Sequence, residues 1–417
     1  MPSRTTGSNY TNNCVEGVDQ ILSDPTMQTK RLCTSNFSIL IIANFSLFIA
    51  YYMLFPSLPV YIKEITGKDA LTGLAMGSLL LASVLFRPFA GRLIDTGKRK
   101  VIFLFGTAIF FFCTLAFNLA PTLLVLLPAR FLQGFGWAYC NTAAGTLASD
   151  IIPKSRLAEG MGYYGLSLSL GMATGPALGL FLMQRYNFQL MFYICAGFVL
   201  LSFLLALLIN HQNVNIMTKT PATTKTIIEK RALHPSLVMF FSAIGYAAVV
   251  SFLALYGQYR QVTDIGLFFI LYALSITVSR PFFGRLADRK GYDIVMVFGL
   301  ILCSLAMLII YLAHSLPVFI LAGLVYGIGY GAVQPTTQAL SVLYVPLERR
   351  GAATATFFLF LDLGLGLGSV LWGFVAQYIG YDLMYLMVII PSLLALLVYL
   401  LFPRQANMQQ KLSIIKN

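Results

Sequence analysis

Asp362 and Arg130 are the residues of this chain best placed to do chemistry, because of where they stand. Asp362 interrupts the apolar run FFLFLDLGLGLGS at 357–369, and Arg130 opens RFLQG at 130–134 after an apolar stretch. Read as helices, these runs put Asp362 about 16 Å from Gly351 and Arg130 about 13 Å from the start of its run. Both depths approach the middle of a hydrocarbon layer about 30 Å thick. An ionised group is expensive there and normally faces a polar cavity or a partner. A carboxyl in that setting suits the binding and release of a proton, or the holding of a cationic substrate. Its plainer role is that of a protonated Asp hydrogen-bonding between helices; for Arg130 it is bonding to helix carbonyls. No other acid lies well inside an apolar run, and Arg130 is the one basic residue read as lying within one and not at its end.

Other chemistries lack their residues. An intramembrane aspartyl protease needs two facing acids, and a metalloprotease needs a His-rich helix, whereas the chain has 3 His in all. No phosphate-binding glycine loop is present to hold ATP. The cysteines, Cys14, Cys33, Cys113, Cys140, Cys195 and Cys303, show no metal or redox spacing. No enzyme, metal or cofactor is expected.

The elements that must position Asp362 and Arg130 follow from composition. The chain is 58% apolar and 10% charged, against about 25% charged in a typical soluble domain, and its mean hydropathy is +0.79. Twelve apolar runs are long enough to cross a bilayer, near 36–62, 70–91, 101–120, 122–148, 159–184, 188–209, 237–259, 264–286, 293–314, 316–343, 351–378 and 383–402. Runs of this length must satisfy their own backbone in lipid, so they are helices, and the short alternating segments of a β-barrel are absent. Residues 1–34 form a polar tail without a cleavable signal pattern, so the first span is expected to serve as the targeting signal. Net charge is +13. If both termini are cytoplasmic, only Lys63, Lys68, Arg185 and Arg260 fall in the opposite loops, which is the bias that orients membrane proteins. The basic excess is therefore a topology signal and an attraction to anionic lipid, not a nucleic-acid interface.

Residues 87–95 read RPFAGRLID and residues 280–288 read RPFFGRLAD, 193 positions apart. The same offset relates Gly134 to Gly327, Gly136 to Gly329, Pro153 to Pro346, Arg156 to Arg349, Gly171 to Gly364 and Gly175 to Gly368. Such a repeat predicts two fused copies that rock about a central site. The fold class is an all-α integral membrane protein with twelve transmembrane helices in two pseudo-symmetric six-helix bundles. Its expected organisation is a tail at 1–34, bundles at 35–209 and 236–403, a polar cytoplasmic linker at 210–235 and a tail at 404–417. The repeat partner of Asp362 is Ser169, so the carboxyl belongs to one half only.

With these motifs the chain resembles the major facilitator superfamily, and within it the twelve-span drug:proton antiporter branch, over residues 36–402. The family's G-x-L-a-D-r-x-G-r-k loop signature is matched by GRLADRKGYD at 284–293 through its second glycine; the first copy, GRLIDTGKRK at 91–100, is one residue shorter after Asp95. The resemblance implies a cytoplasmic latch built from Gly91, Asp95, Arg99, Asp150 and Arg156 with Gly284, Asp288 and Arg289. Gly91 and Gly284 are also small enough for helices to approach closely. In the fifth span Gly162, Gly171, Gly175, Pro176 and Gly179 follow the antiporter pattern G-x8-G-x3-G-P-x2-G-G, with Leu180 at the last position. The resemblance assigns Arg130 to proton coupling, beside the proton-binding role read for Asp362 from its depth. Tyr51, Asn141, Tyr246 and Gln334 are candidates to line the substrate cavity. Where many relatives carry an acid in the first span, this chain has Asn44, Tyr51 and Tyr52, which argues against polyspecific recognition of lipophilic cations. The implied activity is proton-coupled export of a small organic molecule, by a monomer in the bacterial inner membrane. A proton symporter importing a sugar or metabolite, or a transporter-like sensor without flux, are the alternatives.

Overall fold

The computed structural model describes residues 34–94, 98–119, 122–153, 156–210, 228–343, 345 and 350–401. Asp95, both tails and residues 211–227 of the linker lie outside the described residues. The described residues contain helices and no strand. These are α1 (Ser35–Thr66), α2 (Asp69–Ile94), α3 (Arg99–Leu119), α4 (Leu123–Ile151), α5 (Leu157–Arg185), α6 (Phe188–Leu208), α7 (Leu233–Tyr259), α8 (Gly266–Lys290), α9 (Tyr292–Tyr311), α10 (Leu316–Leu343), α11 (Arg350–Tyr378), α12 (Tyr381–Met387) and α13 (Ile389–Leu401). The last two are separated only by Val388 and form one span, so the described chain has 12 helical stretches long and apolar enough to cross a membrane. Large apolar side chains such as Phe112 and Leu124 lie exposed on the outer helix faces, as expected where lipid replaces water.

Local signals set the helix ends. Thr34 Oγ1 accepts from Phe37 N at 3.3 Å to cap α1, and Asn187 Oδ1 accepts from Leu190 N at 2.7 Å to cap α6. Gly67, at φ +68°, takes the left-handed turn that ends α1 and donates to the Lys63 carbonyl at 2.8 Å.

Packing repeats with the sequence. In the first half α1 packs on α5, α2 on α4 and α3 on α4; in the second, α7 packs on α11, α8 on α10 and α9 on α10. The 193-residue offset survives at single contacts. A Cβ on Gly134 would run into the Leu79 backbone, and one on Gly327 would fall 2.5 Å from the carbonyl oxygen of Tyr272, the repeat partner of Leu79. Across the two halves, α2 meets α11, α5 meets α8 and α1 meets α7.

These contacts are backbone against backbone, so added bulk has nowhere to go. Gly134→Val and Gly327→Val are expected to cost about 1–3 kcal/mol or more, read as loss of monodisperse protein and a lower melting temperature in detergent. Gly91→Ala and Gly284→Ala, where nothing lies within 4 Å of the added carbon, are expected to leave both unchanged. Equal stability of Gly134→Val and Gly91→Ala would contradict the packing.

Candidate functional site

The two arginines that open the repeated motif meet the opposite half. Arg87 lies on α2 seven residues before its end at Ile94, about 10 Å inside the helix. Its Nη2 makes an ion pair with Asp362 Oδ2 on α11. Ser83, four residues earlier and so on the same face, donates to the same oxygen at 3.4 Å. Asp362 is 5% exposed, so this charge is buried and held by a charge. Of the two settings the sequence leaves open for this carboxyl, a polar cavity or a partner, the structure supplies a partner, which reaches it because α2 continues well past Arg87.

Arg280, one repeat later on α8, makes the mirror-image approach. Its Nη1 donates to Ser169 Oγ on α5, and its Nη2 donates to Gln334 Oε1 on α10 at 2.7 Å. Ser169 is the repeat partner of Asp362. Each half therefore sends an arginine across the seam to the same position of the other half, which holds a carboxylate in one case and a hydroxyl in the other. Nε of Arg87 and Nε of Arg280 are both buried without a partner. Gln334, a cavity candidate from the sequence, is thus a partner of Arg280. Its repeat partner Asn141 is half-buried on α4 and makes no bond to Arg87.

Arg130 lies apart. It is 1% exposed, donates to Gln133 Oε1 at 2.5 Å and approaches Met76 Sδ at 3.5 Å, and makes no ion pair among the described residues. Gln133 passes the network on to Thr114 Oγ1 at 3.0 Å. The structure does not bring Arg130 into contact with Asp362. In the same half Tyr51 stacks on Trp137 with centroids 3.7 Å apart. Tyr246 belongs to a buried stack with Tyr272, Tyr326 and Tyr330, the last at 4.6 Å.

The motif of the fifth span lies at a seam within the first half. A Cβ on Gly171 would meet Phe48 and Ile49, one on Gly175 would lie 2.8 Å from the Ile49 carbonyl oxygen, and one on Gly179 would lie 2.6 Å from the Met53 carbonyl oxygen, all on α1. Pro176 is in the interior of α5 and Gly162 near its start. Gly364 and Gly368 repeat this seam between α11 and α7.

Of the expected latch, Arg99 pairs with Asp150 between α3 and α4. Arg156 sits at the start of α5, and Asp288 and Arg289 lie in the last turns of α8. No atom of the described residues lies within 4 Å of a Cβ on Gly91 or Gly284, so among them no other helix closely approaches these glycines. The opposite end is closed. Lys63 and Tyr381 both bind the Asp69 carboxylate, and Asp69 N donates to Gln377 Oε1 at 2.8 Å. Below them a Cβ on Gly373 would lie 2.8 Å from Gly73 Cα, which seals α2 against α11.

Sequence reasoning missed Arg87, Arg280 and Ser83 as site residues. The signal was present, since the repeat begins with these arginines, one helical turn deeper than Gly91 and Gly284. Removing one member of a buried pair strands the other charge. Arg87→Ala is expected to destabilise the purified protein by about 3–5 kcal/mol, and Arg87→Ala with Asp362→Asn to recover most of that in thermal unfolding. A double variant no better than the single would show that the pair carries no such charge dependence.

Comparison with known proteins agrees with this architecture. The family model of the Major Facilitator Superfamily matches residues 40–261 and 235–415. The chain is 24% identical over 361 residues to the uncharacterized MFS-type transporter MJ1560 of Methanocaldococcus jannaschii, covering 84% of this chain and 93% of that protein. It is 27% identical over 349 residues to the multi-drug resistance efflux pump PmrA homolog of Lactococcus lactis subsp. lactis, covering 80% and 86%. The crystal structure of nucleoside transporter NupG superposes with a TM-score of 0.71 at 14% identity, covering 89% of this chain and 100% of that one. Twelve membrane-length helices in two repeated halves, joined by buried arginines across their seam, are those of a multi-pass membrane transporter, and the chain belongs to the Major Facilitator Superfamily.

Proposed function

We propose that the protein is a proton-coupled antiporter that exports a small organic molecule by alternating access. The observation that carries this reading is the Arg87–Asp362 ion pair, because it is both a titratable site and a bond between the halves. A proton on Asp362 removes the charge that holds Arg87. In a buried setting, breaking such a pair is worth several kcal/mol, enough to shift a two-state equilibrium strongly. Proton occupancy and the relative position of α2 and α11 are then the same variable.

The Lys and Arg bias supports cytoplasmic termini; in that orientation the end joined at Asp69 faces outward and the arrangement described here is the one shut to the outside. In the outward-facing state an external proton loads Asp362, with Arg130 and Tyr51 shaping the local field. After reorientation the proton leaves toward the cytoplasm and substrate takes its place. The Arg99–Asp150 pair and the basic loops around it lie where a cytoplasmic latch is needed. The glycine seam of α5, together with relatives such as the Lactococcus multi-drug resistance efflux pump homolog, supports export over import. The transporter works as a monomer in the bacterial plasma membrane.

Everted vesicles loaded with a pH-sensitive dye test the reading against a panel of cationic, zwitterionic and anionic compounds. Substrate-triggered proton efflux is expected in wild type and a loss of about tenfold or more in Asp362→Asn. Coupled transport that persists in Asp362→Asn with its pH dependence intact would overturn it.

A further inference from the structure

The two repeat-related arginines differ in what answers their charge. Arg87 has a carboxylate. Arg280 has only neutral acceptors, Ser169 Oγ and Gln334 Oε1, and makes no ion pair among the described residues. Its Nε is buried without a partner. Arg280 stands ten residues before the end of α8 at Lys290, about 15 Å inside the helix. A cation at that depth without a counter-charge is costly and is normally paired.

The centre as a whole is short of negative charge. Three arginines, Arg87, Arg130 and Arg280, lie about 10 Å or more from the ends of their helices, against one acid at such depth, Asp362. Arg130 is sealed, at 1% exposure. Arg280 keeps part of its surface accessible, although both of its bonds run to neighbouring helices and not toward lipid. It is the deep, unpaired cation that a ligand can reach. Aromatic faces adjoin it along α10. Tyr326, Tyr330 and Gln334 are spaced by four, so they share one helix face. The Tyr330 ring lies 4.6 Å from that of Tyr246 and 5.8 Å from that of Tyr326, which lies 5.6 Å from Tyr272 of α8. The stack thus starts one turn from the residue that accepts from Arg280.

We propose that Arg280 binds the carboxylate of an organic anion, which displaces Ser169 and Gln334 as its acceptors and lays an aromatic or apolar body against Tyr330. This rests on the reading of the chain as an exporter and names the substrate class. The edge of the guanidinium formed by Nε and one Nη presents two parallel donors that match a carboxylate, and a charged acceptor there is stronger than either neutral one. The duplicated arginines then divide the work. The seam of α2 with α11 answers to a proton on Asp362. The seam of α5 with α8 answers to the anion, which takes Arg280 away from Ser169 in the opposite half.

Repeat symmetry supplies the test. Ser169→Asp gives Arg280 the carboxylate that Arg87 already has, and so fills the place of the anion without removing the cation. The purified full chain in lipid nanodiscs, with empty discs subtracted, is titrated with phenylacetate, its neutral amide and sodium chloride. Wild type is expected to bind phenylacetate about tenfold or more tighter than the amide, and tighter than chloride. Ser169→Asp and Arg280→Gln are each expected to erase the preference for the acid over the amide. Without ligand, Ser169→Asp is expected to melt higher than wild type, because a stranded cation gains its partner. The preference is a ratio within one variant, so a loss of stability does not mimic it, and Ser169→Asp serves if Arg280→Gln fails to fold. No preference for the acid in wild type, a preference that survives in Ser169→Asp, or chloride binding as tightly as phenylacetate overturns the proposal. A Ser169→Asp protein that melts no higher than wild type overturns it as well. If the preference behaves as stated while proton efflux is absent from vesicles, the anion site stands and antiport fails. Proton efflux driven by a cationic compound and unchanged in Ser169→Asp has the reverse meaning.

Discussion

A charge inside a hydrocarbon layer must find a partner within the protein, and the centre of this transporter is arranged around that requirement. Arg87 and Asp362 satisfy one another, but only because α2 of one half and α11 of the other are in register at that level. The pair therefore fixes how the halves sit. It resists sliding between α2 and α11, since a displacement would leave both groups uncompensated at once. A hydrophobic contact at the same place would allow a graded displacement. An ion pair buried this deeply offers two discrete states, paired or separated, and the second is tolerable only when a proton or another ligand takes over.

Duplication supplies the frame and divergence supplies the function. The glycine contacts of α2 with α4 recur in α8 with α10, where Leu79 and Tyr272 are themselves repeat partners, and close glycine contacts of α1 with α5 recur in α7 with α11. Such contacts tolerate no side chain, so they are the part of the duplicated unit that could not drift. The seam diverges instead. Two equivalent arginines reach two equivalent positions, and one position is Asp362 while the other is Ser169. The same logic separates the roles of Gln334 and Asn141, which are repeat partners although only the longer side chain reaches its arginine.

Much of this was legible in the sequence, for identifiable reasons. The twelve spans follow from apolar length alone, and the halves follow from RPFAGRLID and RPFFGRLAD. Asp362 was recognisable because nothing in its run resembles it. Arg87 and Arg280 were not, because the end of an apolar run does not mark the end of a helix. α2 runs on through Gly91 and Arg92 to Ile94, so a residue that reads as a boundary cation lies two turns inside. Burial could not be read either. Arg130 and Asp362 look like a pair when only depth is counted, yet Arg130 is enclosed by Met76, Gln133 and Tyr51 within one half. Asp69 shows the same limit from the other direction, since a residue in a short loop turns out to join Lys63 to Tyr381 and Gln377.

The two ends of the molecule are held by different kinds of force, and that difference bears on how it cycles. At the Asp69 end, closure combines backbone contact at Gly73 and Gly373 with an acid bound by a lysine and a tyrosine. Contact between glycines is short-ranged, so this end opens abruptly once separated by an ångström or two. At the opposite end no described atom lies close to the motif glycines, and Arg99 pairs with Asp150 within one half. Charges in a wet loop act over several ångströms and are screened by salt, so they can draw that end closed before any contact forms. Between the two lies the seam, where the state of one carboxyl decides whether α2 and α11 attract. A lever with a brittle seal at one end and a long-range attraction at the other has few intermediate positions. In the proposed antiport cycle, the carboxyl of Asp362 ties the choice between them to a proton.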